Sequence, residues 1–86
     1  MQHDIDRFKL AFGKRLMSAR KGVGLSQREL AELCDCTRET ISFIERGVHG
    51  PRFDLLLKLS NAVRTPVREL FKDQEPLQEP LQEPVL

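Results

Sequence analysis

The sequence of 86 residues predicts an all-α protein, a compact five-helix bundle with a flexible C-terminal tail. Three observations lead to this class. Apolar residues recur at steps of three and four in separate segments, which is the spacing of helices with one buried face. Glycine, proline and capping residues stand between these segments. No segment alternates apolar and polar residues as a half-buried strand does. The length allows one small domain, which we place at residues 1–73.

The first two predicted helices are bounded by glycine and by a capping pattern. Helix one runs from residue 4 to about residue 21, where Gly22 and Gly24 end it. Ser26 and Glu29 have the spacing of a capping box, so helix two begins at residue 27 and ends near residue 34. The residues expected on the inner faces of these helices are Ile5, Phe8, Phe12, Leu16 and Ala19 in the first and Leu30, Ala31, Leu33 and Cys34 in the second.

The last three predicted helices are shorter. Thr37 is the expected cap of helix three, which runs to residue 45 or 46 and ends at Gly47. Helix four begins at residue 52 or 53 and continues to residue 63, and Pro66 opens helix five. The residues expected to face inward are Phe53, Leu56, Leu59 and Val63 in helix four and Val67, Leu70 and Phe71 in helix five.

The charge of the chain is divided unevenly between body and tail. The whole chain has 14 basic and 13 acidic residues, a net charge of +1. All 14 basic residues lie in residues 1–73, whereas residues 74–86 carry three Glu and no basic residue. This tail repeats Gln-Glu-Pro-Leu, and a proline every four residues is incompatible with a regular helix. We therefore predict a mildly basic domain followed by a flexible acidic tail.

Predicted helix three presents two different faces. Thr37, Thr40, Ile41 and Ile44 share a narrow stripe that is expected to face inward. The opposite side carries Arg38, Glu39, Ser42, Phe43 and Arg46. Such side chains suit the major groove, where Arg binds guanine, Glu accepts from cytosine, Ser pairs with either and an aromatic ring covers a thymine methyl. Two alternatives remain at this point, a solvated charged face and, for the ring, a place in a dimer contact or in the core.

Other function classes find little support in the sequence. There is no grouping of nucleophile and base, no pair of carboxylates in an apolar setting and no phosphate-binding glycine loop, so we expect no enzyme. Cys34 and Cys36 alone are too few for a structural zinc site, and neither a metal nor a cofactor is expected. The longest aliphatic run is three leucines, far short of the ~20 residues that span a bilayer. We expect a cytoplasmic protein without a membrane partner.

Residues 27–47 (QRELAELCDCTRETISFIERG) resemble the helix-turn-helix of the phage repressor and Cro family of bacterial regulators. The resemblance runs from about Phe8 to Phe71. It rests on Gln at the start of the first motif helix, a small Ala31 at the helix crossing, aliphatic residues in the second helix and Glu-x-Gly at its end. Asp35 departs from the pattern, because the family typically has Gly in a left-handed conformation there; Asp tolerates that conformation better than most residues.

The resemblance implies a role for each matching residue. Arg38, Glu39, Ser42 and Phe43 would contact bases, and the residues that would contact phosphates are Gln27, Thr37, Arg46 and Arg52. Arg20 and Glu45 would form an ion pair that ties helix one to helix three, with a scaffold role. The family's dimer surface points to Leu70 and Phe71, for which packing in the core is an equal alternative.

These features together predict a sequence-specific regulator of transcription that binds double-stranded DNA. We expect a repressor acting as a homodimer on a palindromic operator, with residues 37–46 in the major groove. Two alternatives share the fold. The chain could be the antitoxin of a toxin–antitoxin pair, with the acidic tail binding the protein partner, or a restriction-modification controller that activates as well as represses.

Overall fold

The computed structural model describes residues 2–72, which contain five helices and no strand. In chain order the helices are α1 (Gln2–Gly22), α2 (Gln27–Leu33), α3 (Arg38–Glu45), α4 (Phe53–Ala62) and α5 (Val67–Leu70). The predicted all-α class is thus confirmed, and the helix boundaries lie within about two residues of the predicted ones. The acidic tail and the role proposed for it lie outside the described residues.

The N-termini of α2 and α3 are capped as the sequence predicts. The Oγ of Ser26 accepts the N–H of Glu29 at 3.0 Å, and Oε1 of Glu29 accepts the N–H of Ser26 at 2.8 Å, which completes the capping box. Thr37 caps α3 through the N–H of Thr40 at 3.1 Å. Because both caps are local, the short helices begin at residues fixed by the sequence itself.

The first four helices end in the same way. In each case a residue with positive φ follows the helix, and the next N–H donates back to a carbonyl five residues earlier, the Schellman pattern. Glycine takes this position after α1 and α3, whereas the residues after α2 and α4 are Asp35 (φ 58°) and Arg64 (φ 55°). The expected left-handed conformation of Asp35 is therefore present, and that of Arg64 was not expected.

The core is built from side chains of all five helices. Its buried members include Phe12, Leu16, Leu30, Ile41 and Leu59. Helix α3 packs against α1 and α2, and α5 packs against α1 and α4. At about 25 cal/mol per Å² of buried apolar surface, such aliphatic side chains supply most of the stabilisation available to a small domain. Their burial fixes α3 with one face inward.

Several predicted core positions are wrong. Phe53 is 76% exposed and Leu33 is 62% exposed, and Ile5 lies on the solvent side of α1. Phe53 is the first residue of α4, and Leu33 the last of α2. Both therefore lie at a helix end, where little of the described chain covers them. Thr37 is also exposed, because its side chain caps α3 and does not join the inward stripe.

Candidate nucleic-acid interface

A buried ion pair fixes the C-terminal end of α3. The Nε of Arg20 donates to Oε2 of Glu45 at 2.6 Å, and its Nη2 donates to Oε1 at 3.0 Å. Both side chains are almost fully buried. The hydrogen bonds with Glu45 raise the pKa of the Arg20 guanidinium above its ordinary value, against the opposing effect of burial. The scaffold role implied for this pair therefore agrees with its geometry, which joins α1 to α3.

The same network brings the N-terminus of α2 to the end of α3. The Nη1 of Arg20 donates to the carbonyl of Leu25 at 2.9 Å, in the loop before α2. The side-chain amide of Gln27 donates to Oε1 of Glu45 at 3.0 Å. Gln27 is consequently half-buried and held in one position beside α3. The sequence predicts this residue as a phosphate contact but does not anticipate its bond to Glu45.

Two glycines allow the backbone of α1 to lie close to the backbone at the C-terminal end of α3. A Cβ on Gly13 would lie 2.5 Å from the carbonyl oxygen of Glu45 and still closer to that of Ile44. A Cβ on Gly47, which has φ 77°, would lie 2.9 Å from the Cα of Leu10. No other residue fits at Gly13 without moving α3 away from α1. The sequence does not predict this close approach at Gly13, because a glycine inside a helical pattern carries no periodic signal.

The two faces of α3 differ as predicted. Ile41 and Ile44 are fully buried, whereas Arg38 and Glu39 are exposed. Neither of these two charged side chains makes a hydrogen bond or ion pair with any residue from 2 to 72. Both occupy the first turn of α3, so their full hydrogen-bonding capacity faces outward.

The remaining predicted contacts on α3 are engaged with one another. The Nε of Arg46 donates to Oγ of Ser42 at 3.2 Å, and the Arg46 guanidinium lies 5.1 Å from the ring centroid of Phe43. On the loop after α3, the ring of His49 packs edge-on against Phe43, with centroids 5.6 Å apart. We call these four residues the Arg46 cluster. The sequence places His49 in the loop after helix three, beside the expected phosphate contacts, and does not predict its contact with Phe43.

The other predicted site residues lie at helix boundaries. Thr37 caps α3, and Arg52 stands immediately before α4 with its side chain exposed. Residues 2–72 carry 14 basic and 9 acidic residues, a net charge of +5, so the described part of the chain suits a polyanion better than the whole chain does. Leu70 is 1% exposed and belongs to the core, and Phe71 packs on Phe12 with ring centroids 4.9 Å apart. For Leu70, burial favours the core-packing alternative.

The described residues contain no group of three or more side chains of the kinds that hold a metal ion. Burial raises the pKa of the Cys34 thiol to about 11, and burial together with nearby Asp35 raises that of Cys36. The raised pKa values lower the fraction of each thiol that is present as thiolate at neutral pH. No helix between residues 2 and 72 is long and apolar enough to cross a membrane.

Helices α2 and α3 are joined by a tight turn in which one residue, Asp35, has the left-handed conformation. Helix α3 is buried on its inner side and polar on its outer side. Such a pair of helices is typical of a helix-turn-helix domain. The helix-turn-helix family model HTH_3 matches residues 16–70. The chain belongs to this family. The prediction of a helix-turn-helix domain is thereby confirmed.

Known regulators are similar to this chain in sequence. The transcriptional regulator PuuR of Escherichia coli K12 is 41% identical over 66 residues, which are 77% of this chain and 36% of that protein. The transcriptional regulator ImmR of Bacillus subtilis 168 is 42% identical over 52 residues, which are 60% of this chain and 41% of that protein. The match thus spans well under half the length of these curated relatives.

Solved structures are similar to the described fold. The restriction-modification controller protein C.AhdI from Aeromonas hydrophila has a TM-score of 0.68 and 39% identity, over 72% of this chain and 94% of that one. The clp gene regulator ClgR from Corynebacterium glutamicum has a TM-score of 0.70 and 30% identity, over 73% of this chain and 67% of that one.

Proposed function

We propose that this protein is a sequence-specific transcriptional regulator that binds double-stranded DNA with α3 in the major groove. The observation that carries the proposal is the outward first turn of α3, where Arg38 and Glu39 are exposed and have no partner in residues 2–72. The opposite face of the same helix is buried. A groove about 12 Å wide accepts an α-helix, so this face can reach base edges without rearrangement of the fold.

Base contacts fall first to Arg38 and Glu39. Arg38 can bind O6 and N7 of guanine with two hydrogen bonds, and Glu39 can accept from N4 of cytosine. Ser42 and Phe43 share the outward face and were predicted to read bases as well. Both are already in contact with Arg46, which limits the positions that they can take toward a base.

Phosphate contacts are proposed for the residues that frame α3. Arg46 and Arg52 place exposed guanidinium groups at the end of α3 and the start of α4. Gln27 is the first residue of α2, where free N–H groups and the helix dipole favour an anion, and Thr37 is the N-cap residue of α3, at the same end of that helix. These contacts would fix the register of α3 on the duplex without reading its sequence.

The finer parts of the function are also proposals. One module buries only about 600–1,000 Å² of its surface on DNA, and a twofold pair of modules doubles this area and reads two half-sites. We therefore propose a homodimer that acts as a repressor on a palindromic operator in the cytoplasm. Phe71, which is half-buried, remains a candidate for the dimer surface.

A second candidate function is control of a restriction-modification system. The similarity to C.AhdI extends over 94% of that chain, so the two share nearly the whole controller fold. Transcription in vitro from the promoter of the chain's own gene separates the two roles. A regulator of the controller type would raise as well as lower transcription over a range of protein concentrations, whereas a simple repressor would only lower it.

The test of DNA binding is a footprint of the full chain on DNA upstream of its own gene, followed by titrations at several salt concentrations. We expect a protected inverted repeat, and we expect Arg52→Ala to make the salt dependence of the binding constant shallower by about one unit. Arg68→Ala, on α5, is the matched control and should leave the slope unchanged. A chain that protects no DNA and binds duplexes no better than a neutral protein would overturn the proposal.

A further inference from the structure

We propose that Phe43 and His49 are positioning residues that hold the Arg46 guanidinium for one DNA phosphate. Under this assignment Ser42 anchors Arg46, and the reading of bases is left to Arg38 and Glu39. The inference rests on the proposed binding of α3 to DNA. It changes the role of two residues that the sequence predicts as base contacts.

The hydrogen bond to Ser42 determines which edge of Arg46 is available. Its Nε donates to Oγ of Ser42 at 3.2 Å, and its two terminal nitrogens have no partner in residues 2–72. These nitrogens carry parallel N–H groups that match two oxygens of one phosphate. Arg46 also caps the C-terminus of α3, where its backbone N–H donates to the carbonyl of Ser42 at 3.0 Å. The side chain therefore starts from a fixed backbone and is held again near its tip.

Phe43 supports the guanidinium from the side. The Arg46 Cζ lies 5.1 Å from the centroid of the Phe43 ring, within the range of a cation–π interaction. Phe43 as a whole is 38% exposed. With Arg46 beside it, the ring has less free surface for a thymine methyl than an isolated aromatic residue on this face would have.

His49 completes the cluster from the loop. The rings of Phe43 and His49 meet at 61° with centroids 5.6 Å apart, the edge-to-face geometry that aromatic pairs prefer. The loop turns back toward α3 at Gly47, which has the left-handed conformation. The N–H of Val48 then donates to the carbonyl of Phe43 at 2.9 Å. The loop thus holds the ring, and the ring supports the guanidinium.

Such a chain of contacts affects affinity and leaves sequence preference unchanged. A free arginine loses much rotamer freedom when it binds, and an arginine already held in position loses less. The gain applies to every duplex, because phosphates are the same in all sequences. Loss of the ring should therefore weaken binding to all duplexes by one factor.

The experiment measures binding of the full chain to two duplexes, one selected by the chain from a random library and one scrambled version of the same length. We expect Phe43→Leu to weaken both by the same factor, about two- to fivefold, and Phe43→Tyr to bind as the parent does. Arg46→Ala should weaken both more strongly. In the Arg46→Ala background, Phe43→Leu and His49→Ala should have no further effect, since the group that they position is gone.

Arg38→Ala is the matched control, because it should reduce the ratio of the two affinities. Thermal unfolding of every variant checks that the fold is retained. A change in the affinity ratio with Phe43→Leu, or an undiminished effect of Phe43→Leu in the Arg46→Ala background, would overturn the inference and make Phe43 a base-contacting residue. Failure of the parent chain to bind either duplex would overturn the proposed function itself, and the two outcomes are thus distinct.

Discussion

Arg20 of α1 and Glu45 of α3 are joined by two hydrogen bonds, 2.6 and 3.0 Å long, and both side chains are almost fully buried. The pair links residues 25 positions apart in the chain. It lies directly beneath the end of the helix that we propose for DNA recognition. The pair therefore fixes the orientation of that helix from its buried side.

Removal of one partner should be costly. Glu45→Ala leaves the Arg20 guanidinium buried without its carboxylate, and we expect the free energy of unfolding to fall by about 3–5 kcal/mol. Urea denaturation of the full chain measures this loss. The double variant Arg20→Met/Glu45→Leu should recover most of it, because an apolar pair needs no desolvation of charges. Glu32→Ala, an exposed residue on α2, is the control, and a loss as large as that of Glu45→Ala would contradict the assignment.

Gly13 should not accept a methyl group. Gly13→Ala would bring Cβ against the carbonyl of Glu45, and overpacking of this kind typically costs about 1–3 kcal/mol. Gly22 is the matched control at the end of the same helix, where a Cβ would meet no atom within 4 Å. Gly22→Ala should leave stability unchanged or raise it slightly. Thermal unfolding compares the two variants, and equal melting temperatures would refute the close approach of α1 and α3.

The two left-handed residues other than glycine predict a stabilising substitution. Arg64 at φ 55° carries a Cβ in a conformation that costs most L-residues about 1–2 kcal/mol. Arg64→Gly should therefore raise the free energy of unfolding by about 1 kcal/mol after the entropy of glycine is subtracted. Asp35→Gly should gain less, because Asp tolerates this conformation better. Denaturant midpoints test the order, and a larger gain at Asp35 would contradict it.

The two thiols should differ in reactivity. Cys34 is buried, whereas Cys36 is half-buried. Burial, and then the neighbouring Cys36, raises the pKa of Cys34 to about 11. At pH 8 we expect iodoacetamide to modify Cys36 before Cys34, as followed by peptide mass spectrometry, and to modify both alike in urea. The folded chain binds the Cys34 proton more tightly than the unfolded chain does. The contribution of the protonated Cys34 thiol to the free energy of unfolding is therefore complete below the ordinary thiol pKa of 9.0, and it is lost as the pH rises toward about 11. Faster modification of Cys34 than of Cys36 in the folded chain would contradict its burial.

Local signals predicted local structure well. Ser26 with Glu29, Thr37 and Gly47 predicted where helices begin and end, because caps and left-handed turns depend on neighbouring residues in the chain. The inward places of Ile41 and Ile44 followed from spacing alone.

Features that depend on tertiary packing were missed. Phe53 has the spacing of a core residue, but no other helix covers the start of α4. Gly13 matters only because α3 passes against it, and His49 only because the loop after Gly47 returns to Phe43. The positive φ of Arg64 could not be predicted, because arginine is not a residue that favours this conformation. For Phe53 and Gly13 the cause is the placement of other helices, and for His49 it is the path of a short loop. For Arg64 the cause is a backbone angle that its side chain does not favour.

The side chains of Arg38 and Glu39 make no hydrogen bond or ion pair with residues 2–72, and this affects how such a domain can change during evolution. Replacement of either side chain breaks no hydrogen bond or ion pair with these residues. Under the proposed role of the two side chains, descendants of this gene could therefore acquire new target sites by one or two codon changes at little cost in thermal stability. Substitutions at Gly13 or Glu45, in contrast, would lower the stability of the fold.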